Sequence, residues 1–247
     1  VKPFLFLGTR AEDVAADGEY DAVLRFSGLD EGDLRRVRLE SVPLADAVGV
    51  VDTDDWSGII LGGGPFNVSD PLADKSAAQL RVEGELRALV EQVVAADSPF
   101  LGACYGIGTL GVLDGGRVDR TYAEPIGALP VTLTAAGCDD PLLGVLPATF
   151  EAFLGHKEAV SVLPRGAVLL ASTATCPVHA FRLGRRVYAT QFHPELDVDG
   201  LITRIGVYRD YGYFDPADAE GLIAAARAAE VHAPPRLLSR FVELFAR

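Results

Sequence analysis

The sequence predicts an α/β domain with a doubly wound, mostly parallel sheet flanked by helices and a smaller antiparallel portion in its second half. Three observations carry that expectation. Short apolar runs end in glycine, at Pro3–Leu7 before Gly8 and at Ser57–Leu61 before Gly62-Gly63-Gly64-Pro65. An amphipathic stretch, Ala77–Ala96, leads straight into a further run, Ser98–Leu101. Strand, loop, helix and strand in that order is the pattern of a doubly wound sheet. From Pro130 to Tyr188 the pattern changes to short runs separated by turns, which reads as several short strands.

Taken in order, Pro3–Leu7 reads as a buried first strand. Glu12–Phe26 mixes acidic and apolar residues at helical spacing, interrupted by Gly18, and Val37–Val42 is the candidate second strand. The glycine-rich loop after Ser57–Leu61 has two readings: a plain turn, or backbone exposed to a ligand where α/β sheets bind one. It does not have the spacing of a phosphate-binding Walker loop. In Ala77–Ala96, Leu80, Leu86, Leu89, Val90, Val93 and Val94 form an apolar face among charged residues. Short strands are expected at Pro130–Thr134, Ala167–Ala171, His179–Leu183 and Arg186–Thr190, with a hairpin turn at Gly184-Arg185. Helices are expected at Val198–Tyr208, Pro216–Glu230 and Pro235–Phe245. Residues 1–200 are thus expected to form the α/β domain and residues 201–247 a helical extension packed on it.

Composition narrows the function. The formal net charge of −13 repels phosphate backbones, so neither nucleic acid nor an anionic membrane is an expected partner. No apolar run reaches membrane-spanning length, and Val1–Leu7 is too short for a signal peptide. The three cysteines, Cys104, Cys138 and Cys176, are odd in number and lack Cys-x-x-Cys spacing. A disulfide framework or a structural metal is therefore not expected, no cofactor motif is found, and a reducing cytoplasm fits.

The chemistry concentrates in Phe100–Leu110. It contains Gly102-x-Cys104-x-Gly106, the spacing of a nucleophile elbow with cysteine in place of serine. A sharp strand-to-helix turn holds the nucleophile strained, so its neighbours must be small. The helix start favours a thiolate at Cys104, and the Tyr105 N–H can face a developing oxyanion. A buried structural cysteine in a glycine-rich turn is the other reading. A cysteine nucleophile needs a base, and the base an orienting group. Among the four histidines, His193 stands out because a carboxylate, Glu195, lies two residues on, and an extended segment points the two to the same side. Pro194 between them stiffens the segment. By itself, His-Pro-Glu also reads as a surface loop.

With these motifs in this order, the sequence resembles the class I (triad-type) glutamine amidotransferase domains. It is most similar to stand-alone members akin to the amidotransferase domain of GMP synthase. Ile59–Pro65 resembles the family's oxyanion-loop strand, Gly102–Gly106 its elbow, and Gln191–Glu195 its histidine–glutamate segment. Weaker echoes lie in Gly155–Glu158 and Ala171–Pro177. The resemblance implies a flavodoxin-like fold and a Cys104–His193–Glu195 triad. It also implies an oxyanion hole from the Gly64 and Tyr105 N–H groups, and a small-molecule substrate, glutamine or a γ-glutamyl compound. Substrate contacts from Gly63, Gly108, His156 and Glu158 are implied as well. The chain shows no synthetase motif, so any ammonia acceptor would be handled by a separate partner protein.

Two positions depart from the family pattern. Gly108 stands where the family has a glutamine that helps hold the substrate, and Lys157-Glu158 follows His156 where relatives have Gly-Asp. The missing side chain at Gly108 is expected to widen the pocket, which favours a γ-glutamyl peptidase as the second reading. A catalytically idle binding protein is the third. An α/β-hydrolase ranks last, because its acid is usually placed before the histidine. His179, His232, Cys138 and Cys176 are expected to be structural. Trp56 is read as either core or pocket. The aromatic, basic stretch Arg204–Phe214 is read as either a recognition segment or a packed helix end.

Overall fold

The computed structural model describes residues 2–247. Its strands are β1 (Phe4–Gly8), β2 (Leu34–Arg38), β3 (Gly58–Leu61), β4 (Phe100–Ala103), β5 (Arg117–Asp119), β6 (Glu124–Leu133), β7 (Thr149–His156), β8 (Ala159–Val162), β9 (Val168–Ser172), β10 (Ala180–Leu183) and β11 (Val187–Thr190). Its helices are α1 (Asp13–Ser27), α2 (Leu44–Val48), α3 (Ala77–Ala96), α4 (Tyr105–Gly111), α5 (Ala135–Cys138), α6 (Val198–Val207), α7 (Ala219–Ala228) and α8 (Arg236–Phe245).

Nine strands form one sheet in the order β2-β1-β3-β4-β11-β10-β9-β6-β7, and β5 and β8 pair separately. The members β2, β1, β3, β4 and β11 run parallel. From β11 outward every pairing is antiparallel. The fold is the expected α/β one, with its antiparallel portion continuing the same sheet.

The unbroken apolar runs are explained by burial on both faces. Phe4, Phe6, Ile60 and Leu101 pack with Leu237, Leu238 and Phe241 of α8, while Leu5, Leu7, Ile59, Leu61 and Phe100 pack with Val82, Leu86, Leu89, Val90 and Val93 of α3. In register, Leu7 pairs with Leu61, Leu61 with Gly102, and Ala103 with Thr190. The carboxyl ends of β1, β3, β4 and β11 therefore finish side by side. Open α/β sheets bind ligands at that edge, near the point where strand order reverses.

Four local expectations change. The second strand is Leu34–Arg38 rather than Val37–Val42. Only Leu34 and Val37 face the core, and Arg35, Arg36 and Arg38 line an edge strand that charge protects from further pairing. On α3, Val82 and Gln79 belong to the buried face, whereas Leu80 is exposed. The strands β5, β7 and β8 lie where the sequence signalled none. Residues Pro216–Asp218 form a single 3-10 turn before α7. The last three helices lie against earlier elements. Leu201 and Ile205 of α6 and Ala219 and Ala226 of α7 share a cluster with Phe153, and α8 covers Phe4.

Candidate active site

Cys104 sits between β4 and α4 with φ 52° and ψ −92°, one of three non-glycine residues at positive φ among the described residues. A side chain rarely adopts this backbone without help. The help is visible: the Cys104 N–H donates to the Thr190 carbonyl at 2.8 Å. The elbow's glycines are required by space. A Cβ on Gly102 would lie 2.9 Å from backbone atoms of Gly106.

His193 and Cys104 line one cavity, although they are 89 residues apart in sequence. The ring is placed by its own backbone, since the His193 N–H donates to the Phe153 carbonyl at 3.2 Å. Its Nδ1–H donates to Glu195 Oε1 at 2.7 Å. Burial alone would depress the His193 pKa, but the negative charges of Glu195 and Cys104 outweigh it and hold the value up at about 9. The imidazole therefore keeps its proton at neutral pH. Burial pushes the Glu195 carboxyl up, yet His193 and Arg204 override it and hold the group well below the usual carboxylate range.

Glu195 is not oriented by His193 alone. Arg204 of α6 donates from Nη2 to Glu195 Oε1 at 2.8 Å and to Glu19 Oε1 of α1 at 3.3 Å. Its Nη1 lies 3.1 Å from the protonated His193 Nδ1, a repulsive contact that restrains the histidine pKa. Glu19 Oε1 also accepts from Arg10 Nε at 3.0 Å and from the Gly63 N–H at 3.3 Å. One buried carboxylate thus ties the orienting arginine to the glycine loop. The Thr9 hydroxyl donates to the Gly63 carbonyl at 3.1 Å and fixes that loop from the other side. The loop's glycines leave no spare room. A Cβ on Gly63 would meet His193 Cε1 at 2.5 Å, and one on Gly64 would meet Thr9 Oγ1 at 2.0 Å.

The N–H groups of Gly64 and Tyr105 have no hydrogen-bond partner among the described residues. Both residues border a second, smaller cavity that also touches Cys104. Phe66, Asn67, Gly155, His156, Lys157, Glu158 and Gln191 also line it, and Tyr213 lines both cavities. Tyr213 is held over the site by its neighbourhood: the Lys157 ammonium lies 4.3 Å from its ring centroid and donates to the Tyr211 carbonyl at 2.8 Å.

The departures from the family pattern look different once placed. A Cβ on Gly108 would lie 3.1 Å from Val68 Cγ2 and 3.2 Å from Glu158 Oε1. The space a side chain vacates there is filled by Glu158 rather than opened to substrate. Glu158 in turn accepts from the Val68 and Ser69 N–H groups at 2.8 and 2.7 Å. Burial nevertheless pushes its carboxyl pKa up.

His156 is equally committed. Its Nδ1 faces the Glu158 carbonyl at 2.8 Å and its Nε2 faces Glu124 Oε2 at 2.9 Å. His179 Nε2 donates to the same oxygen at 2.6 Å, and the Thr173 hydroxyl donates to Glu124 Oε1 at 2.6 Å. Thr175 donates to Oε1 as well. Burial lowers the His179 pKa, whereas these donors hold the Glu124 carboxyl well below its usual range against burial. Cys176 Sγ joins this cluster, its pKa pushed up to about 11 by burial. The donor atoms of Glu124, His156, His179 and Cys176 are close enough to surround a cation, but the two histidines sit at hydrogen-bonding distances from one carboxylate. Cys138 is exposed, and Trp56 packs half-buried at the margin of the α3 core.

Sequence reasoning missed Arg10 and Glu19, and left Arg204, Tyr208 and Tyr213 undecided between recognition and packing. Glu19 carried a readable signal. It lies among Ala15, Ala16, Ala22 and Val23, at the i−4, i−3, i+3 and i+4 positions of one buried face. A lone carboxylate in an apolar stripe needs a buried partner.

Comparisons with known proteins speak to the family and the fold. The family described as "Glutamine amidotransferase class-I" matches residues 29–199. A GMP synthase (glutamine-hydrolyzing) of Edwardsiella ictaluri is 34% identical over 146 residues, 57% of this chain and 25% of that protein. The corresponding protein of Streptomyces avermitilis is 32% identical over 162 residues, 65% of this chain and 28% of its own length. The chain spans about a quarter of the length of these curated relatives. A crystal structure of a glutamine amidotransferase from Thermotoga maritima superposes with a TM-score of 0.76 at 18% identity, covering 100% of this chain and 99% of that one. At that identity the likeness speaks for the fold. No described helix is long and apolar enough to cross a membrane.

Proposed function

Because this chain belongs to the class-I glutamine amidotransferase family, we propose that it hydrolyses the side-chain amide of glutamine, or a γ-glutamyl amide, through a thioester on Cys104. The observation that carries the proposal is a single convergence. The strained Cys104 and the charged His193–Glu195 pair share one cavity, beside two unpartnered N–H groups on Gly64 and Tyr105.

In this reading the Cys104 thiolate attacks the amide carbon, and the oxyanion settles against the Gly64 and Tyr105 N–H groups. Preorganised donors of this kind contribute about 3–4 kcal/mol each in comparable sites. His193 enters the cycle protonated, so it acts first as an acid and gives its proton to the leaving nitrogen. Acylation also consumes the Cys104 charge that helps keep His193 protonated. The ring becomes a better base at the step where it must activate water against the thioester. Glu195 keeps Nδ1 protonated, so that Nε2 is the nitrogen that exchanges the proton. Gly63 serves the loop's geometry, while His156, Glu158 and Gly108 form its scaffold rather than direct substrate contacts. Ammonia released here would be consumed by acceptor chemistry outside this domain; the longer relatives are named GMP synthase (glutamine-hydrolyzing).

Rapid one-to-one labelling of Cys104 by an electrophilic glutamine mimic, together with ammonia or amine release that Cys104→Ala abolishes, is the expected result. Slow labelling at the rate of a free thiol, with no product from any γ-glutamyl amide, would favour an idle binding protein instead.

A further inference from the structure

The two cavities that meet at Cys104 are small, about 50 Å³ beside His193 and about 20 Å³ beside Tyr105. A water takes about 10–15 Å³ of such space, so the larger holds roughly four water-sized groups and the smaller about two at most. Glutamine, with roughly ten non-hydrogen atoms, fits neither as it stands. Four of the described residues border both cavities: Gly64, Cys104, Gly155 and Tyr213. Two are glycines and one is the nucleophile, so Tyr213 alone among them brings a large side chain. Wherever the two halves of a substrate settle about Cys104, they meet this ring.

The ring belongs to a strap, residues 209–213, that follows α6 and forms neither helix nor strand. Both ends of the strap are anchored. The Tyr208 hydroxyl accepts from Arg10 Nη1 at 3.0 Å, and Phe214 packs on the cluster shared by α6 and α7. Between these anchors the hold is slight. The Tyr211 hydroxyl donates to Glu12 and Arg209 Nη2 to the Pro216 carbonyl, both at the surface. The contact that spans the site is Lys157, whose ammonium sits on the Tyr213 ring and bonds the Tyr211 carbonyl at once. A segment held by solvent-exposed bonds and few apolar contacts is among the first to open. Lys157 stands at a departure from the family pattern, and Tyr213 lies beyond the matched residues 29–199, so the family match does not account for this wall.

We infer that Tyr213 is a specificity-determining gate over Cys104, latched by Lys157, and that its displacement sets the size of molecule that reaches the thiol. For its substrate the inference rests on the amidohydrolase reading above; for access to the thiol it rests on the cavities and the strap alone. A glutamyl group needs the ring moved aside. A bulky amide also needs the space into which the ring moves, so the gate discriminates against it.

The test alkylates the whole chain with iodoacetamide and with the bulkier N-phenylmaleimide, and reads each cysteine by peptide mass spectrometry. Exposed Cys138 normalises the reactivity of each reagent, and buried Cys176 stays unlabelled unless the fold opens. Relative to Cys138, wild-type Cys104 is expected to disfavour the maleimide against iodoacetamide by at least about tenfold, as steric selection in a closed site does. Tyr213→Ala brings that ratio towards one. Tyr213→Phe keeps it, because the ring remains, and Lys157→Met relaxes it about two- to fivefold, the size of one exposed cation–π contact. In turnover, Tyr213→Ala raises kcat/KM for γ-glutamyl-p-nitroanilide relative to glutamine by at least about tenfold. A merely structural loss would lower both rates and leave their ratio unchanged. A wild-type alkylation ratio near one, a folded Tyr213→Ala that keeps the wild-type ratio, or a Tyr213→Phe that behaves like Tyr213→Ala overturns the inference; glutamine turnover would leave the amidohydrolase reading standing. The expected alkylation pattern with no turnover of either substrate would instead remove that reading and leave the gate. Where labelled Cys176 shows that Tyr213→Ala does not fold, Lys157→Met decides, and an unchanged ratio there overturns the latch and the gate together.

Discussion

The protein buries two carboxylate–imidazole clusters, and they are built for opposite ends. Glu195 with His193 opens onto a cavity and a strained cysteine; Glu124 with His156 and His179 faces inward, and donors occupy both of its oxygens. The ingredients are nearly the same. What differs is what surrounds them. Arginines back the first cluster, so its histidine can keep or lose a proton while Glu195 stays charged. Histidines and threonines alone neutralise the second, which leaves it no capacity to exchange. Residue type therefore says little about role here; access and second partners decide it.

The sharpest way to break the comparison is to remove one member from each cluster. Cys104→Ala is expected to abolish turnover. Glu195→Gln is expected to lower kcat by about 10²–10⁴, since it disturbs the tautomer and charge of His193. Cys104→Ala should leave the urea midpoint nearly in place, whereas Glu195→Gln should lower it as well, because Arg204 and the protonated His193 lose their buried counter-charge. Glu124→Gln should cost stability without costing turnover. Taking a charged acceptor away from buried hydrogen-bond donors costs about 1–3 kcal/mol or more, so its unfolding midpoint should drop. The surviving folded fraction should keep kcat within a factor of about three. Loss of turnover in folded Glu124→Gln would place that cluster in the chemistry and sink the contrast.

A middle-sized effect is expected where the active cluster reaches into the scaffold. Glu19→Gln leaves Arg10 and Arg204 without their shared charge and loosens the Gly63 N–H. A loss of about 10- to 100-fold in kcat with little change in KM is expected, less than the roughly 10²–10³-fold of removing an oxyanion donor outright, because the loop carrying Gly64 is loosened and not lost. A change confined to KM would mean that Glu19 acts on substrate binding instead.

The pH dependence follows from the same charges. His193 must enter protonated and its pKa is held at about 9. The rate kcat/KM should therefore hold on the alkaline side up to that point and fall about tenfold per unit above it. The same raised value means that the ring's contribution to stability is complete below its ordinary pKa of about 6.5 and is lost as pH rises through about 9. Glu124 and Glu195 are both depressed, so their contributions are present above the ordinary carboxylate value and are lost as pH falls below it. A thermal midpoint that rises on acidification from pH 6 to pH 3 would contradict both assignments.

These two clusters were not equally legible in the sequence. Cys104 and its glycines are one local turn, and His193 and Glu195 are two residues apart, so short-range spacing exposes them. The parallel half of the sheet was legible for a similar reason, because strands buried on both faces leave continuous apolar runs. Arg10, Glu19 and Arg204 meet across as many as 194 residues, and in sequence each looks like an ordinary charged residue beside a turn or on a helix. The strand β7 was masked because Phe153, between the inward-facing Ala152 and Leu154, is buried on the opposite side against Leu196, Leu201 and Ile205, which spoils the alternation. The pairing of Glu124 with His156 is a product of β6–β7 register, which no local pattern announces.

The smallest effect bears on the expectation that Gly108 widens the pocket. If a vacated side chain left open space there, Gly108→Ala would fill it and raise KM for the larger γ-glutamyl compounds while sparing glutamine. The geometry opposes this, because the new methyl would press on Val68 at 3.1 Å and Glu158 at 3.2 Å. Those atoms belong to the scaffold of the loop, so the change should register as stability. Overpacking costs roughly 1–3 kcal/mol, and replacing a glycine inside α4 returns about 1 kcal/mol of helix propensity. A net loss of about 0–2 kcal/mol is expected, with KM values for glutamine and γ-glutamyl-glycine moving together by less than about twofold. A selective rise for the larger substrate would show that substrate, and not Glu158, occupies the space above Gly108.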